Sequence, residues 1–360
     1  PPRRGVSRPP GPAVQGPAHL TRPDARPKAR PAPRGPAHRT RPAASAQAHP
    51  RDLFLLDLDG VLVDSVGELA GSAYAAAVSR WPVVMQNSPY TKGEVLAGLA
   101  GGRPRVIAGY EALAMARLMA ERGPADGVAA VLADWPGRTL AAALDAWGET
   151  PASLIPFFEA HRTAAARDEA AWLAANRAYP GITAALAEVC GPWYVVSSKS
   201  PARVALLLRG LLGQEAGFEV GSPRLVAGLQ PPDTAKPAAI AALAARAWGV
   251  EEGDLGSVGG SGPGASLPPT TLHFVDDRYE TLAAVAASPL LGPAVAARAL
   301  RLHFAGWGYS AAEEKKAALD DSSVTCLTLE AFTELLRWGL VMGVDDGCEP
   351  SREEVARGVA

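Results

Sequence analysis

The chain has 360 residues and 48% hydrophobic content, enough for a buried core, and it carries no run of about 18 uncharged apolar residues that would read as a membrane-spanning helix. Its three cysteines, Cys190, Cys326 and Cys348, are odd in number, far apart and without a C-x-x-C spacing, which argues against a disulfide framework or a zinc site. The net charge of −2 conceals an asymmetry: residues 1–50 carry +9 and residues 51–360 carry −11, so nothing in the acidic part reads as a nucleic-acid surface.

Residues 1–50 include thirteen prolines, and Leu20 is the only Leu, Ile, Phe or Met among them. Such a segment buries too little apolar area to offset the entropy of ordering and is expected to be disordered. Its Arg-rich, acid-poor composition fits an organelle transit peptide, with the chloroplast stroma favoured over the mitochondrion. A disordered basic tail on a cytoplasmic protein is the alternative.

Order is expected from Leu53. The run Leu53-Phe54-Leu55-Leu56 predicts a short buried strand that stops at Asp57-Leu58-Asp59-Gly60. Helical patterns follow over 68–80, 106–122, 137–147 and 160–178, punctuated by Pro and Gly. No strand pattern stands out between about 65 and 178, so this block is expected to be all-helical. Strand and helix then alternate: a strand at Trp193–Ser197, a helix from Pro201 to about Gly210, and a short strand at 218–221. A helix over Pro237–Trp248 has Pro at its first position. Strands at Leu272–Val275, Leu300–Phe304 and Val324–Leu327 and a helix at Leu329–Trp338 complete the series. This alternation predicts an α/β fold with a doubly wound parallel sheet covered on both faces. The domain reading is a leader at 1–50, a catalytic core of 51–64 and 179–340, a helical insert at 65–178, and an acidic tail at 341–360.

Carboxylates directly after buried strands carry the chemistry. Burying an acid is costly unless it is paired or holds a metal, and ligands of parallel sheets bind at the carboxyl ends of strands. Asp57 stands at such an end, and Asp59, two residues on, can reach the same side while the backbone turns at Gly60. A calcium loop is a poor fit, because Val61 and Leu62 stand where oxygen ligands or Gly would be needed. The run Phe54 to Ser65 resembles motif I of the haloacid dehalogenase superfamily, a hydrophobic strand followed by D-x-D-G-x-L-x-D-S. Three further stretches are similar to that family's motifs and fall in its order: Val195-Val196-Ser197-Ser198-Lys199, Lys236-Pro237, and Phe274-Val275-Asp276-Asp277.

The resemblance implies a Rossmann-like core with a helical type-1 cap inserted between the first two motifs. It implies a phosphatase with Asp57 as nucleophile, Asp59 as general acid and base, and Ser197, Ser198 and Lys236 on the phosphoryl oxygens. Asp57, Asp59 (through its backbone carbonyl), Asp276 and Asp277 would hold Mg²⁺. The family often places a further acid four or five residues after the metal-binding Asp. From Asp277 those positions are Thr281 and Leu282, whereas Glu280 follows Asp276 by four, so the inner ligand is left open between Asp276 and Asp277. The implied partner is a small phosphorylated metabolite. A phosphomutase acting on a sugar phosphate would use the same residues, a metal-free dehalogenase fits poorly with Asp59 and the acidic pair, and an inactive binding protein is the reading from another class. Arg103, Arg105, Arg162 and Arg167 in the insert could each bind a substrate anion, but each alone reads first as a solvated helix charge, and Gly259 to Gly264 reads as a surface loop.

Overall fold

The structure is a computed structural model and describes residues 52–213, 216–258, 268 and 270–339. The leader, the Gly-rich stretch at 259–264 and the acidic tail lie outside the described residues.

Strand β1 (Leu53–Leu56) is apolar at every position because both of its faces are covered. Phe54 and Leu56 enter one core and Leu53 and Leu55 the other, the period-2 alternation of a strand sandwiched between helix layers. A turn leads to the two-residue strand β2 (Val63–Asp64). Eight α-helices follow among the described residues: α1 (Val66–Arg80), α2 (Pro82–Asn87), α3 (Lys92–Gly102), α4 (Gly109–Arg122), α5 (Pro124–Ala133), α6 (Arg138–Trp147), α7 (Pro151–Ala165) and α8 (Glu169–Ala174). A second two-residue strand, β3 (Arg177–Ala178), returns the chain antiparallel to β2. The remaining elements alternate: α9 (Ile182–Ala187), β4 (Trp193–Ser197), α10 (Pro201–Leu212), β5 (Leu225–Ala227), α11 (Pro232–Trp248), β6 (Leu272–Asp276), α12 (Tyr279–Ala286), α13 (Gly292–Ala296), β7 (Leu300–Ala305), α14 (Ala312–Asp320), β8 (Val324–Leu327) and α15 (Leu329–Trp338).

The large sheet has the order β5-β4-β1-β6-β7-β8 with every pair parallel. Helices α9, α10 and α15 cover one face through Leu186, Leu207, Leu208 and Phe332. Helices α11, α12 and α13 cover the other through Ile240, Ala244, Leu282 and Ala294. This is the doubly wound α/β arrangement expected from the alternation. The chain winds outward from β1 in both directions, so the strand order reverses there and leaves a crevice at its carboxyl end.

The helical block has its own apolar core. Ala73, Ala76 and Ala77 of α1 are fully buried against Leu113, Met115 and Phe158, small residues letting helices approach closely. Helix α3 starts at a reciprocal box in which Thr91 Oγ1 accepts from Glu94 N and Glu94 Oε2 accepts from Thr91 N. Such a box contributes roughly 0.5–2 kcal/mol.

Four expectations are corrected. The stretch 160–178 is not one helix: α7 starts at Pro151 and ends at Ala165, and Asp168 then caps α8 by accepting from Ala171 N at 3.1 Å. The block is not purely helical, since β3 pairs with β2. The strand at 218–221 does not form; Gly217 and Gly221, both at positive φ, bracket the stretch, and the edge strand is β5 instead. Helix α11 begins at Pro232, leaving Pro237 inside it. Pro237 removes one early hydrogen bond, and the exposed Asp233 can turn its freed carbonyl to solvent.

Candidate active site

The described acids and lysines of the four motifs converge at the crevice beyond β1. β1 delivers Asp57, β6 delivers Asp276 and then Asp277, and the second turn of α11 delivers Lys236. All four are nearly sealed from solvent. Lys236 Nζ lies 2.9 Å from Asp57 Oδ2 and 2.6 Å from Asp276 Oδ2, bridging the two carboxylates. The other oxygens are also held. Asp57 Oδ1 accepts from Leu58 N at 2.8 Å, Asp276 Oδ1 from Arg278 N at 2.9 Å, and Asp277 Oδ2 from Tyr309 N at 2.8 Å. Gly60, at φ +82°, makes the turn that brings the chain past this cluster; a Cβ there would collide with the Asp277 carboxylate.

One oxygen each from Asp57, Asp276 and Asp277 lies within 4.8 Å of the others. Burial pushes Asp57 up to about 7, and Asp276, Asp277 and Asp59 push the same way while Lys236 opposes them. Burial and then Asp276 raise Asp277 to about 6, against the pull of Arg103. Three carboxylates this close resist ionising together. A divalent cation would relieve that, and an all-oxygen donor set suits a hard ion such as Mg²⁺. The residues therefore fit a metal. The Asp276 carboxylate is tied through both oxygens, to Lys236 and to the Arg278 amide, whereas the Asp277 carboxylate accepts from Tyr309 N through Oδ2, which favours Asp277 as the freer ligand.

Asp59 belongs to a separate pair. Its Oδ1 accepts from Lys199 Nζ at 2.9 Å. Burial works against its charge, yet Lys199, the Ser65 hydroxyl and Arg103 together hold its carboxyl below the usual range. Ser197 ends β4 fully buried, its Oγ accepting from Lys199 N at 3.3 Å, and the residues that line the cavity next to it are Ser198, Lys199 and Ser200.

A cavity of about 550 Å³ opens above the acids, with the helical block as its other wall. Here the reading of the insert arginines is corrected in part. Arg162 is buried and grips Glu68 with Nε to Oε1 at 3.0 Å and Nη2 to Oε2 at 2.5 Å. Arg105 pairs with Glu313, and Arg103 lines the cavity, while Arg167 is exposed as expected. Sequence reasoning gave no role to Lys199, although it ends the second motif stretch. It missed Arg203, which reaches Glu159 at 2.6 Å, and Tyr309, which sits after β7 in Gly-Trp-Gly-Tyr. Only the Gly-rich turn marked the place.

No protein-family model matches the chain, and no curated protein matches its sequence. Among solved structures it is similar to a predicted phosphoglycolate phosphatase from Haemophilus somnus 129PT, at 16% identity over 74% of this chain and 89% of that one, with a TM-score of 0.41. A predicted phosphatase from Clostridium acetobutylicum matches at 14% identity over 79% and 97%, with a TM-score of 0.40. A haloacid dehalogenase-like hydrolase from Streptococcus pneumoniae matches at 11% identity over 77% and 93%, with a TM-score of 0.41.

Proposed function

We propose that the protein is a phosphatase of the haloacid dehalogenase type that hydrolyses a small phosphate monoester through an aspartyl-phosphate on Asp57. The observation that carries this reading is the convergence of a strand-end carboxylate, a buried lysine bridging it to a second acid, and a third acid within metal-binding distance. Asp57, Asp277 and the Asp59 carbonyl would hold Mg²⁺, which when bound offsets phosphoryl charge and lets the acids ionise together.

Asp57 attacks phosphorus in line, the bond from phosphorus to the ester oxygen breaks, and the leaving oxygen takes a proton from Asp59. Asp59 then removes a proton from water, which attacks the aspartyl-phosphate and releases phosphate with Asp57 restored. In the present arrangement Lys199 holds Asp59 ionised. A substrate phosphoryl group that draws Lys199 toward its oxygens removes that stabilising charge, so the Asp59 pKa rises and the group can carry the first proton. Lys236 fixes Asp57 and offsets charge as the phosphoryl group transfers, and Ser198, which lines the cavity after the buried Ser197 at the end of β4, would donate to a phosphoryl oxygen.

The test is phosphate release by the full chain from a panel of phosphorylated metabolites, with Mg²⁺ and with EDTA. Metal-dependent turnover that disappears in Asp57→Asn, with the fold retained, is expected. Turnover surviving that substitution would remove Asp57 as nucleophile, and a bisphosphate intermediate would turn the reading to a mutase.

A further inference from the structure

Six cationic side chains line the cavity: Arg103, Arg162, Lys199, Arg203, Lys236 and Arg278. Five have a carboxylate within ion-pair distance. Arg162 pairs with Glu68, Lys199 with Asp59, Arg203 with Glu159, and Lys236 with Asp57 and Asp276, while Arg278 stands 3.7 Å from Glu280. Arg103 has no such partner among the described residues. The hydrogen bond its side chain makes there runs from Nη1 to the Val106 carbonyl at 3.2 Å. Its Nε is shut off from solvent and meets no acceptor.

A guanidinium N–H removed from water without an acceptor is costly. The cost is accepted here in a rigid setting. The Arg103 guanidinium lies 4.1 Å from the centroid of the Tyr309 ring. Tyr309 is pinned in turn: its OH donates to Asp64 Oδ1 at 2.7 Å and accepts from Ser65 N at 2.6 Å, and its own N holds Asp277. The fork is thus stationed beside the acids with donor capacity unused, and Pro104, Val106 and Ile107 make the adjoining cavity wall apolar. A planar fork with free donors is suited to an oxyanion.

We infer that Arg103 forms a second anion subsite, so that the substrate is a phosphate monoester whose alcohol portion carries its own carboxylate or second phosphate on a short apolar linker. This rests on the phosphatase reading for the position of the first phosphate. Among the described residues the chain's own carboxylates do not pair with Arg103, and the ligand's second anionic group would meet the guanidinium where Arg103 lines the cavity.

The test uses phosphonates, whose carbon–phosphorus bond resists hydrolysis, so that binding is read without turnover. Calorimetry on the full chain with Mg²⁺ compares 3-phosphonopropanoate and ethylenediphosphonate with ethylphosphonate. Wild type should bind at least one doubly anionic probe about ten- to a hundredfold more tightly than ethylphosphonate, the range of a charge-assisted hydrogen bond; which one shows the gain distinguishes a carboxylate from a second phosphate. In Arg103→Met that ratio should fall toward one, and Arg103→Lys, which keeps the charge without the fork, should restore part of it. A wild-type ratio near one overturns the proposal even if the variants fail to fold, and so does a ratio that Arg103→Met preserves. Absence of Mg²⁺-dependent phosphate release from any monoester, beside Arg103-dependent binding of a double anion, would sink the phosphatase reading and leave this subsite standing.

Discussion

The ion pair between Glu68 on α1 and Arg162 on α7 offers a quantitative test of how the helical block is held. Both side chains are almost fully removed from solvent, Arg162 grips both carboxylate oxygens, and Ser72 Oγ donates to Glu68 Oε1 at 3.0 Å. Burial opposes the Glu68 charge, but Arg162, with smaller help from Lys199 and Ser72, lowers its pKa from 4.5 to about 2. At about 1.36 kcal/mol per pKa unit, that difference corresponds to about 3 kcal/mol of stability at neutral pH. Breaking a buried pair from one side costs about 3–5 kcal/mol by general experience, so the two routes agree. Glu68→Gln should therefore lose about 3 kcal/mol in urea unfolding at pH 7. Because the folded pKa is depressed, the contribution is complete above the unfolded value of 4.5 and is lost as pH falls toward about 2. By pH 3 the gap between wild type and Glu68→Gln should have narrowed by about 2 kcal/mol. A gap below about 0.5 kcal/mol at pH 7, or one that does not narrow between pH 5 and pH 3, would refute the assignment.

Other consequences can be checked separately. Gly60→Ala forces a side chain into positive φ and against the Asp277 carboxylate, so it should cost more than the ~1–2 kcal/mol of the backbone effect alone and impair turnover; wild-type stability would contradict the packing described. Lys199→Met removes the ammonium 2.9 Å from Asp59, so the Asp59 carboxyl should titrate at higher pH in a carbon-13 titration, and an unmoved titration would show that Lys199 is not what holds it down. Mg²⁺ at a hundred times its dissociation constant should stabilise the protein by about 2.7 kcal/mol in thermal unfolding, and EDTA or Asp277→Ala should remove that increment. An equal melting temperature with and without Mg²⁺ would argue that the acids bind no metal.

What the sequence disclosed and what it concealed divide along physical lines. Asp57, Asp276 and Asp277 were legible because each follows a short apolar run, a local pattern whose meaning depends on burial alone. Lys236 was legible only in company, since a single lysine before a proline is ordinary. The bonds that organise the cavity wall join residues far apart in the chain: Lys199 to Asp59 across 140 positions, Arg162 to Glu68 across 94, and Tyr309 to Asp64 across 245. No local pattern encodes such a meeting, and so Arg162 read as a solvated charge. The helix boundaries between 65 and 178 blurred for another reason. The Ala-rich run that joins α7 to α8, Ala164-Ala165-Ala166 and then Ala170-Ala171, lacks the contrast between apolar and polar faces that makes a period visible. The edge strand was misplaced because Phe218 and Val220 look strand-like, while the flanking glycines at positive φ turn the backbone away from pairing.

The two short strands β2 and β3 set Val63 beside Ala178 and Asp64 beside Arg177. Everything between them leaves and re-enters the sheet layer at one place. For the polymer this changes the arithmetic of assembly. β1 must find β4 across the whole helical segment, a long loop whose closure is entropically expensive while the segment is unfolded. Once that segment has folded and brought its ends together, the free chain left to close is only what joins β1 to β2 and β3 to β4. The same geometry makes the segment exchangeable. A different set of helices, entering and leaving through the same pair of strands, would meet the sheet at unchanged points and leave Asp57, Lys236 and Asp277 where they stand. The helical wall of the cavity can therefore be exchanged without moving the strand-end acids beneath it.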